Sequence, residues 1–272
     1  MTARHGVAPT GRTPWRRRVR DLLLSAERVL LRRSAPAVPE DPAGREAAAR
    51  PAPGPHMHGW RPDATPLDLS RRPRQGRLGD CWVMASLLGV HAQAPQLLES
   101  ALVDAGEGRW HVRLAAAVIT VDREMPVDAR GRWVYATQSG QGPGWAGLFE
   151  KAFAAHLAGS YRLVARGFGR SGLAALTGVR VRTLVLLPSP RRIRDLLAEG
   201  RAVLASTHPL SPLVTVPGGR LPANHVMAVV GADPVTGTIT LRNPWRPDEV
   251  LVLPRSVLRR GFISLDVTAP LG

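Results

Sequence analysis

The only cysteine of the 272-residue chain lies in the segment QGRLGDCW, residues 75–82. Gly79 allows the chain to turn, Asp80 is a residue type that caps helix N-termini, and Cys81 then falls in the first turn of a helix. The dipole and unpaired N–H groups of a helix start stabilise a thiolate relative to a thiol. The segment therefore predicts a nucleophilic cysteine with Asp80 in a supporting role, although a lone cysteine more often is an inert core residue.

A thiolate nucleophile needs a histidine as acid–base partner, and that histidine needs an acceptor to orient its ring. His225 begins the strand-like segment HVMAVVGAD, and the turn DPVTG (233–237) leads into TITLRN, which ends at Asn243. Antiparallel pairing around this turn predicts that His225 and Asn243 lie side by side. The amide oxygen of Asn243 could then accept the imidazole N–H and fix its tautomer.

Four ordered blocks of the sequence resemble the catalytic core of calpain-type cysteine peptidases: QGRLGDCWVMASL, WAGLFEKAFAAHLAGSY, NHVMAVVGA and LRNPW. VDREMP (121–126) and ALTG (175–178) also match, and the resemblance spans roughly residues 56–267. It implies an α+β, papain-like cysteine peptidase of two lobes. A helical lobe would carry the cysteine, a β-rich lobe would carry the histidine and asparagine, and a substrate cleft would separate them.

The resemblance also implies a role for each matching residue. Cys81 would attack the scissile carbonyl, His225 would be its acid–base partner, and Asn243 would orient the imidazole. The side-chain amide of Gln75 and the backbone N–H of Cys81 would form the oxyanion hole. Trp245 would shield the Asn243–His225 hydrogen bond from water, which strengthens it.

Other positions near these residues are expected to border the substrate cleft: Gly79, Trp82 and Asn224. For Trp82, packing between the lobes is the favoured interpretation. Asn224 stands where calpain-type members usually have a glycine before the histidine, which we interpret as a change of specificity. Arg246 stands where a glycine is common after the tryptophan, and the sequence offers no explanation for it.

No metal or cofactor is predicted. The segment GFGRSGLAALTG (167–178) lacks the carboxylates that calcium-regulated members would place there, and the chain contains no EF-hand loop. A calcium requirement is therefore not expected.

The composition predicts two parts along the chain. Residues 1–55 form a basic N-terminal arm, with an amphipathic helix at 15–33 and a proline-rich linker after it. Residues 56–272 form the catalytic core, with a helical lobe at about 56–178 and a β-rich lobe at about 179–272. The arm could be a propeptide, an anchor or a docking element, and 15–33 could contact a membrane surface or a partner.

Hydrophobic periodicity predicts helices at 81–90, 95–106 and 145–159, and strand-like stretches at 110–122 and 132–137. Six further strand candidates follow residue 180: VRTLVLL, AVLAST, HVMAVVGAD, TITLRN, EVLVLP and ISLDV.

Composition excludes several function classes. One cysteine cannot form an intrachain disulfide, and no apolar run approaches the ~20 residues of a membrane-spanning helix, so a cytoplasmic location is expected. The net charge of +16 invites nucleic-acid binding. Nucleic acid is nevertheless an unlikely partner, because the charge is almost all arginine, in a chain also rich in alanine, glycine and proline, as in proteins of high-GC genomes.

The sequence thus predicts a calcium-independent intracellular cysteine endopeptidase that uses Cys81, His225 and Asn243 to make limited cuts in extended segments of proteins. Two alternatives stay open. A catalytically silent calpain-like module would keep the fold for binding alone, and an acyltransferase would use the same cysteine and histidine with an acceptor other than water.

Overall fold

The computed structural model describes residues 48–157 and 159–272. The predicted helix at 15–33 lies outside these residues. The described helices are α1 (Cys81–Gln93), α2 (Pro95–Ser100), α3 (Gly144–His156), α4 (Tyr161–Val164), α5 (Gly169–Thr177), α6 (Pro190–Ala198) and α7 (Arg255–Gly261). The described strands are β1 (Gly59–Pro62), β2 (Pro73–Arg74), β3 (Leu102–Gly106), β4 (Arg109–Leu114), β5 (Ala117–Asp122), β6 (Glu124–Val127), β7 (Thr137–Gln138), β8 (Val181–Leu184), β9 (Val203–Thr207), β10 (Thr215–Val216), β11 (Gly219–Arg220), β12 (Val226–Asp233), β13 (Thr238–Asn243), β14 (Arg246–Pro254) and β15 (Phe262–Thr268).

The six strand candidates after residue 180 form one six-stranded sheet in the order β14-β13-β12-β9-β15-β8. All neighbouring pairs are antiparallel. Asp233 pairs with Thr238 at the turn of the β12–β13 hairpin, and Ala228 pairs with Arg242 farther along, with a bulge between them. The predicted hairpin is therefore present, and it brings the start of β12 close to the end of β13.

Helix α1 is buried on every side from Cys81 to Val90. It packs against α5 and against β12. A helix that is apolar all round has no solvent face, so it must lie in the middle of the fold. The first residue of α1 is consequently held close to the strand that follows His225.

The buried apolar side chains form two clusters. One gathers α1, α3 and the elements around them, and the other lies between the six-stranded sheet and helices α6 and α7. The fold thus mixes helices and sheets, as the α+β prediction expected. Within the described residues, no helix combines the length and the apolar character needed to cross a membrane.

Several local predictions differ from the structure. The helix predicted at 95–106 ends at Ser100, and β3 follows it and pairs with β4. The stretch 110–122 is a hairpin of two strands, β4 and β5. In 132–137, Trp133 makes only an isolated bridge, and Thr137 begins the short strand β7. The sequence analysis did not predict helices α4, α5, α6 and α7.

The boundary predicted at residue 55 is also too late. Within the described residues, Ala49 donates a backbone hydrogen bond to Thr120, and Tyr135 Oη donates to the carbonyl of Pro55. Ala52 forms a bridge with Ser160. Residues 49–55 therefore belong to the folded part rather than to the arm.

Candidate active site

Cys81 is the first residue of α1 and is 9% exposed. The backbone N–H of Val226, the residue directly after His225, lies near enough to the thiol to favour the thiolate and lower its pKa. Asp80 occupies the N-cap position, but its side chain makes no capping hydrogen bond. The predicted helix start is confirmed, whereas the predicted capping by Asp80 is wrong.

Two opposing effects act on the Cys81 thiol. Burial is the larger and raises its pKa, and the nearby Asp80 raises it further. The backbone N–H groups of Val226, Trp82 and Cys81 favour the thiolate and lower the pKa, but burial outweighs them, and the pKa is about 11. Burial therefore opposes the stabilisation of a thiolate expected from the helix start, and the pKa favours the neutral thiol in this arrangement.

His225 and Asn243 are hydrogen-bonded, with 2.8 Å between His225 Nε2 and Asn243 Oδ1. The backbone N–H of Trp245 donates to the same oxygen at 3.1 Å. Because an amide oxygen only accepts, the proton of the neutral imidazole must be on Nε2. His225 Nδ1 is then the basic nitrogen. The predicted side-by-side placement of the two residues is confirmed.

The indole ring of Trp245 lies over the imidazole of His225, with 4.2 Å between ring centroids and an angle of 33° between the planes. Trp245 is itself 44% exposed. Its ring therefore covers one face of the histidine from solvent, as predicted. Burial lowers the pKa of His225 to about 4, and the hydrogen bond to Asn243 opposes that shift. Both His225 and Cys81 are thus uncharged at neutral pH.

Gln75 is buried six residues before Cys81. Its side-chain Nε2 donates to the carbonyl of Leu78 at 2.6 Å, and its backbone N–H donates to the carbonyl of Pro244 at 2.9 Å. The second bond ties the loop before α1 to the residue that follows Asn243. An amide nitrogen carries two hydrogens, so Gln75 keeps one more to donate.

The three residues expected at the cleft lie in different environments, because Trp82 is buried whereas Gly79 and Asn224 are exposed. Trp82 is buried, its indole N–H donates to the carbonyl of Val164 at 2.8 Å, and its ring meets Phe153 edge to face. Trp82 belongs to the first apolar cluster, so its assignment to the cleft is wrong. Gly79 is exposed and passes so close to the carbonyl of Ala165 that a side chain would clash.

Asn224 is exposed and has a backbone φ of +50°. Glycine adopts this left-handed region without strain, and asparagine is among the few other residues that tolerate it. The structure thus explains why asparagine replaces the expected glycine. Asn224 also lines, with His225, a cavity of about 270 Å³.

Arg246, the other departure, is exposed and lies 3.7 Å from the Glu249 carboxylate. Nothing in the structure explains the replacement of glycine at this position.

The sequence analysis did not predict a buried pair of carboxyl groups, one of which belongs to Asp80, the residue directly before Cys81. Asp80 and Glu150 are both fully enclosed, and the backbone N–H of Ala136 donates to both oxygens of Glu150 at 3.1 Å. Burial raises the pKa of each carboxyl, and the two interact with each other. Among the described residues neither Asp80 oxygen has a hydrogen-bond partner, so burial alone favours the protonated form of this carboxyl. The signal in the sequence was a charged Glu150–Lys151 step inside an otherwise apolar helix.

Among residues 48–157 and 159–272, no three His, Cys, Asp or Glu side chains are grouped closely enough to hold a metal ion. Calcium also binds backbone carbonyls, so calcium independence remains a prediction.

The family model of the calpain family cysteine proteases matches residues 63–250, which is more than half of the chain. The chain belongs to the calpain family. The matched region contains Cys81, His225 and Asn243, and the resemblance read from the four sequence blocks is confirmed.

Three curated calpains are similar to this calpain-family chain. Calpain-type cysteine protease DEK1 of Arabidopsis thaliana is 28% identical over 203 residues, which are 67% of this chain and 9% of DEK1. Calpain-13 of Rattus norvegicus is 29% identical over 192 residues, 63% of this chain and 28% of the relative. Calpain-14 of Homo sapiens is 29% identical over 191 residues, 63% and 27% respectively. The chain thus aligns with less than a third of each of these relatives.

Proposed function

We propose that the chain is a cysteine endopeptidase that cleaves extended segments of proteins, with Cys81 as nucleophile, His225 as acid–base group and Asn243 as the residue that orients His225. The observation that carries the proposal is the 2.8 Å hydrogen bond from His225 Nε2 to Asn243 Oδ1. This bond leaves Nδ1 as the nitrogen that can accept a proton. The proposal is also supported by the position of Cys81, because the backbone N–H of Val226, the residue after His225, lowers the pKa of its thiol.

The neutral state of both groups suggests how the reaction starts. As the Cys81 sulfur attacks the scissile carbonyl carbon, its proton passes to His225 Nδ1, and the carbonyl oxygen becomes an oxyanion. The imidazolium then gives this proton to the leaving amine as the C–N bond breaks, which leaves an acyl-enzyme. Water hydrolyses the thioester with His225 again as base, and the thiol is regenerated.

Gln75 and the backbone N–H of Cys81 are proposed to stabilise the oxyanion. The second hydrogen of the Gln75 amide is the one this role would use, while the first keeps its bond to Leu78. Loss of one such donor costs about 3 kcal/mol of transition-state stabilisation.

The papain-like arrangement of two lobes, with a cleft between α1 and the β12–β13 hairpin, belongs to the same proposal. The two apolar clusters and the six-stranded sheet support it. Four further points stay predictions from the sequence. They are the division of the core near residue 178, independence of calcium, a cytoplasmic location, and the role of residues 1–55 as a propeptide, an anchor or a docking element.

The test compares the wild-type chain with Cys81→Ala. Both are incubated with casein, in the presence and absence of a calcium chelator, and both are treated with an epoxide inhibitor of thiol proteases. We expect the wild type to cleave casein and to be labelled at Cys81 under both conditions, and the variant to do neither. If the wild type neither cleaves nor labels, also after removal of residues 1–47, the proposal is wrong. If transfer of the acyl group to an added amine greatly exceeds hydrolysis, the transferase alternative is correct.

A further inference from the structure

A second, larger groove lies on the surface of the β-rich part, next to the cavity at His225. It has a volume of about 700 Å³, and we call it the arginine-rimmed groove. Its lining includes Leu186, Leu210 and Phe262, while Arg255 and Arg259 of α7 stand at its edge. Leu186 and Leu210 are 63% and 66% exposed, which is unusual for leucine side chains that lie close together.

The groove is continuous with the cavity at His225. His208, Pro209 and Ile263 line both. His208 is held in place, because its Nε2 lies 2.5 Å from the carbonyl of Arg260 and its Nδ1 accepts the backbone N–H of Leu210. A polypeptide that reaches His225 can therefore continue along a fixed surface into the groove.

The charge of the groove indicates what it binds. Arg255 and Arg259 are exposed, and neither forms an ion pair with a carboxylate of the described residues. Two cations beside exposed leucines match a segment that combines apolar side chains with carboxylates. Residues 1–33 carry nine arginines against two carboxylates, and the whole chain has a net charge of +16, so neither this segment nor a second copy is complementary.

We propose that the arginine-rimmed groove extends the substrate-binding surface and selects protein substrates in which apolar residues are flanked by Asp or Glu. The proposal rests on the proposed function, since it assigns the groove to the substrate of that same site. The groove would select substrates that are both acidic and apolar, a preference that the residues around His225 do not themselves explain.

A binding measurement tests the groove without requiring turnover. The probe is fluorescein-labelled dephosphorylated casein, and its anisotropy is followed as the full-length Cys81→Ser variant is added at 50 mM NaCl. Adding Arg255→Gln and Arg259→Gln is expected to weaken binding roughly 3- to 10-fold, as two exposed ion pairs would. The matched control is Arg113→Gln with Arg130→Gln, which removes the same charge from exposed arginines outside the groove and should change nothing.

Three further comparisons sharpen the test. Casein whose carboxylates have been amidated should bind more weakly and should not distinguish the groove variants from their parent. Raising NaCl to 500 mM should remove most of the difference, because exposed charges are screened. For the apolar part, Leu210→Gln should weaken binding, whereas Leu213→Gln, a 79% exposed leucine outside the groove, should not.

Turnover separates failure of the groove from failure of the enzyme. In the otherwise wild-type chain, the groove variants should lower kcat/KM for casein by a similar factor and leave kcat/KM for a short dipeptide-coumarin unchanged. Equal casein binding by groove and control variants overturns the proposal, whatever the activity. So does a dimer that dissociates when Arg255 and Arg259 are replaced, because the occupant is then a second copy. Groove-dependent binding without any cleavage would instead refute the proposed function alone.

Discussion

Replacement of Asn243 by alanine tests the orienting hydrogen bond most directly. In the resting state this bond joins a neutral imidazole to an amide and contributes about 1 kcal/mol. When His225 takes the thiol proton, the donor becomes an imidazolium, and a bond to a charged group contributes about 1.5–3 kcal/mol. His225 is only 3% exposed, so water cannot easily replace the lost acceptor. Only the difference between the two states, about 0.5–2 kcal/mol, raises the barrier, and since ~1.4 kcal/mol is tenfold in rate, Asn243→Ala should lower kcat/KM between about 2- and 30-fold.

The assay is hydrolysis of fluorescein-labelled casein, with each preparation normalised by titration of its reactive thiol. Asn243→Asp is the matched control, because it keeps an acceptor oxygen for His225 Nε2 and for the Trp245 N–H. It should retain more activity than the alanine variant. Thermal unfolding checks that both variants are folded. If Asn243→Ala stays within twofold of the wild type while Cys81→Ala is inactive, the orienting role is refuted.

Three other predictions follow from the same geometry. With a thiol pKa of about 11, alkylation of Cys81 by iodoacetamide should rise about tenfold per pH unit from pH 7 to 10, and a rate independent of pH between 5 and 9 would show a resting thiolate instead. At the φ of +50°, Asn224→Gly should leave the free energy of unfolding nearly unchanged and Asn224→Val should lower it by about 1–3 kcal/mol, as measured by denaturant titration; equal stabilities would contradict the strain argument. The folded pKa values of Asp80 and Glu150 are raised, so the folded state binds the extra proton and loses stability as pH rises above the unfolded carboxyl values near 4. Glu150→Gln removes the carboxyl that repels Asp80, so the wild type should lose more stability than the variant as the pH rises. The Tm of the variant minus that of the wild type should therefore increase by about 3 °C or more from pH 5 to pH 8. An equal difference at both pH values would count against a proton shared by the two carboxyls.

The sequence was sufficient to predict the structure wherever nearby residues of the chain determine it. The β12–β13 hairpin follows from alternating apolar residues around a DPVTG turn, and that turn alone places His225 beside Asn243. The start of α1 at Cys81 follows from the residues just before it. In both cases the determining contacts lie within about 20 residues along the chain, so pattern and turn chemistry define them.

The sequence was insufficient where burial by distant segments decides the outcome. Packing was the favoured interpretation for Trp82, but its partners Val164 and Phe153 lie more than 70 residues away and could not be identified from the sequence around it. Hydrophobic periodicity predicted a helix over the whole of 95–106, but the helix ends at Ser100 and residues 102–106 pair with β4 as β3. Asp80 has the side chain of an N-cap, yet it is fully buried and makes no capping hydrogen bond.

The ionisation of Cys81 shows why burial by distant segments matters for the mechanism. A helix start contributes N–H groups that stabilise a thiolate, and that contribution is present here. It competes with desolvation of the same sulfur, which grows with every side chain packed around it and is the larger effect. The carboxyl of Asp80 adds to the cost, although burial raises its own pKa to about 7 and so limits its charge. In the proposed reaction, the thiol proton moves to His225 Nδ1 as the sulfur attacks. That step depends on the hydrogen bond from Nε2 to Asn243, which leaves Nδ1 as the basic nitrogen, and not on the helix start alone.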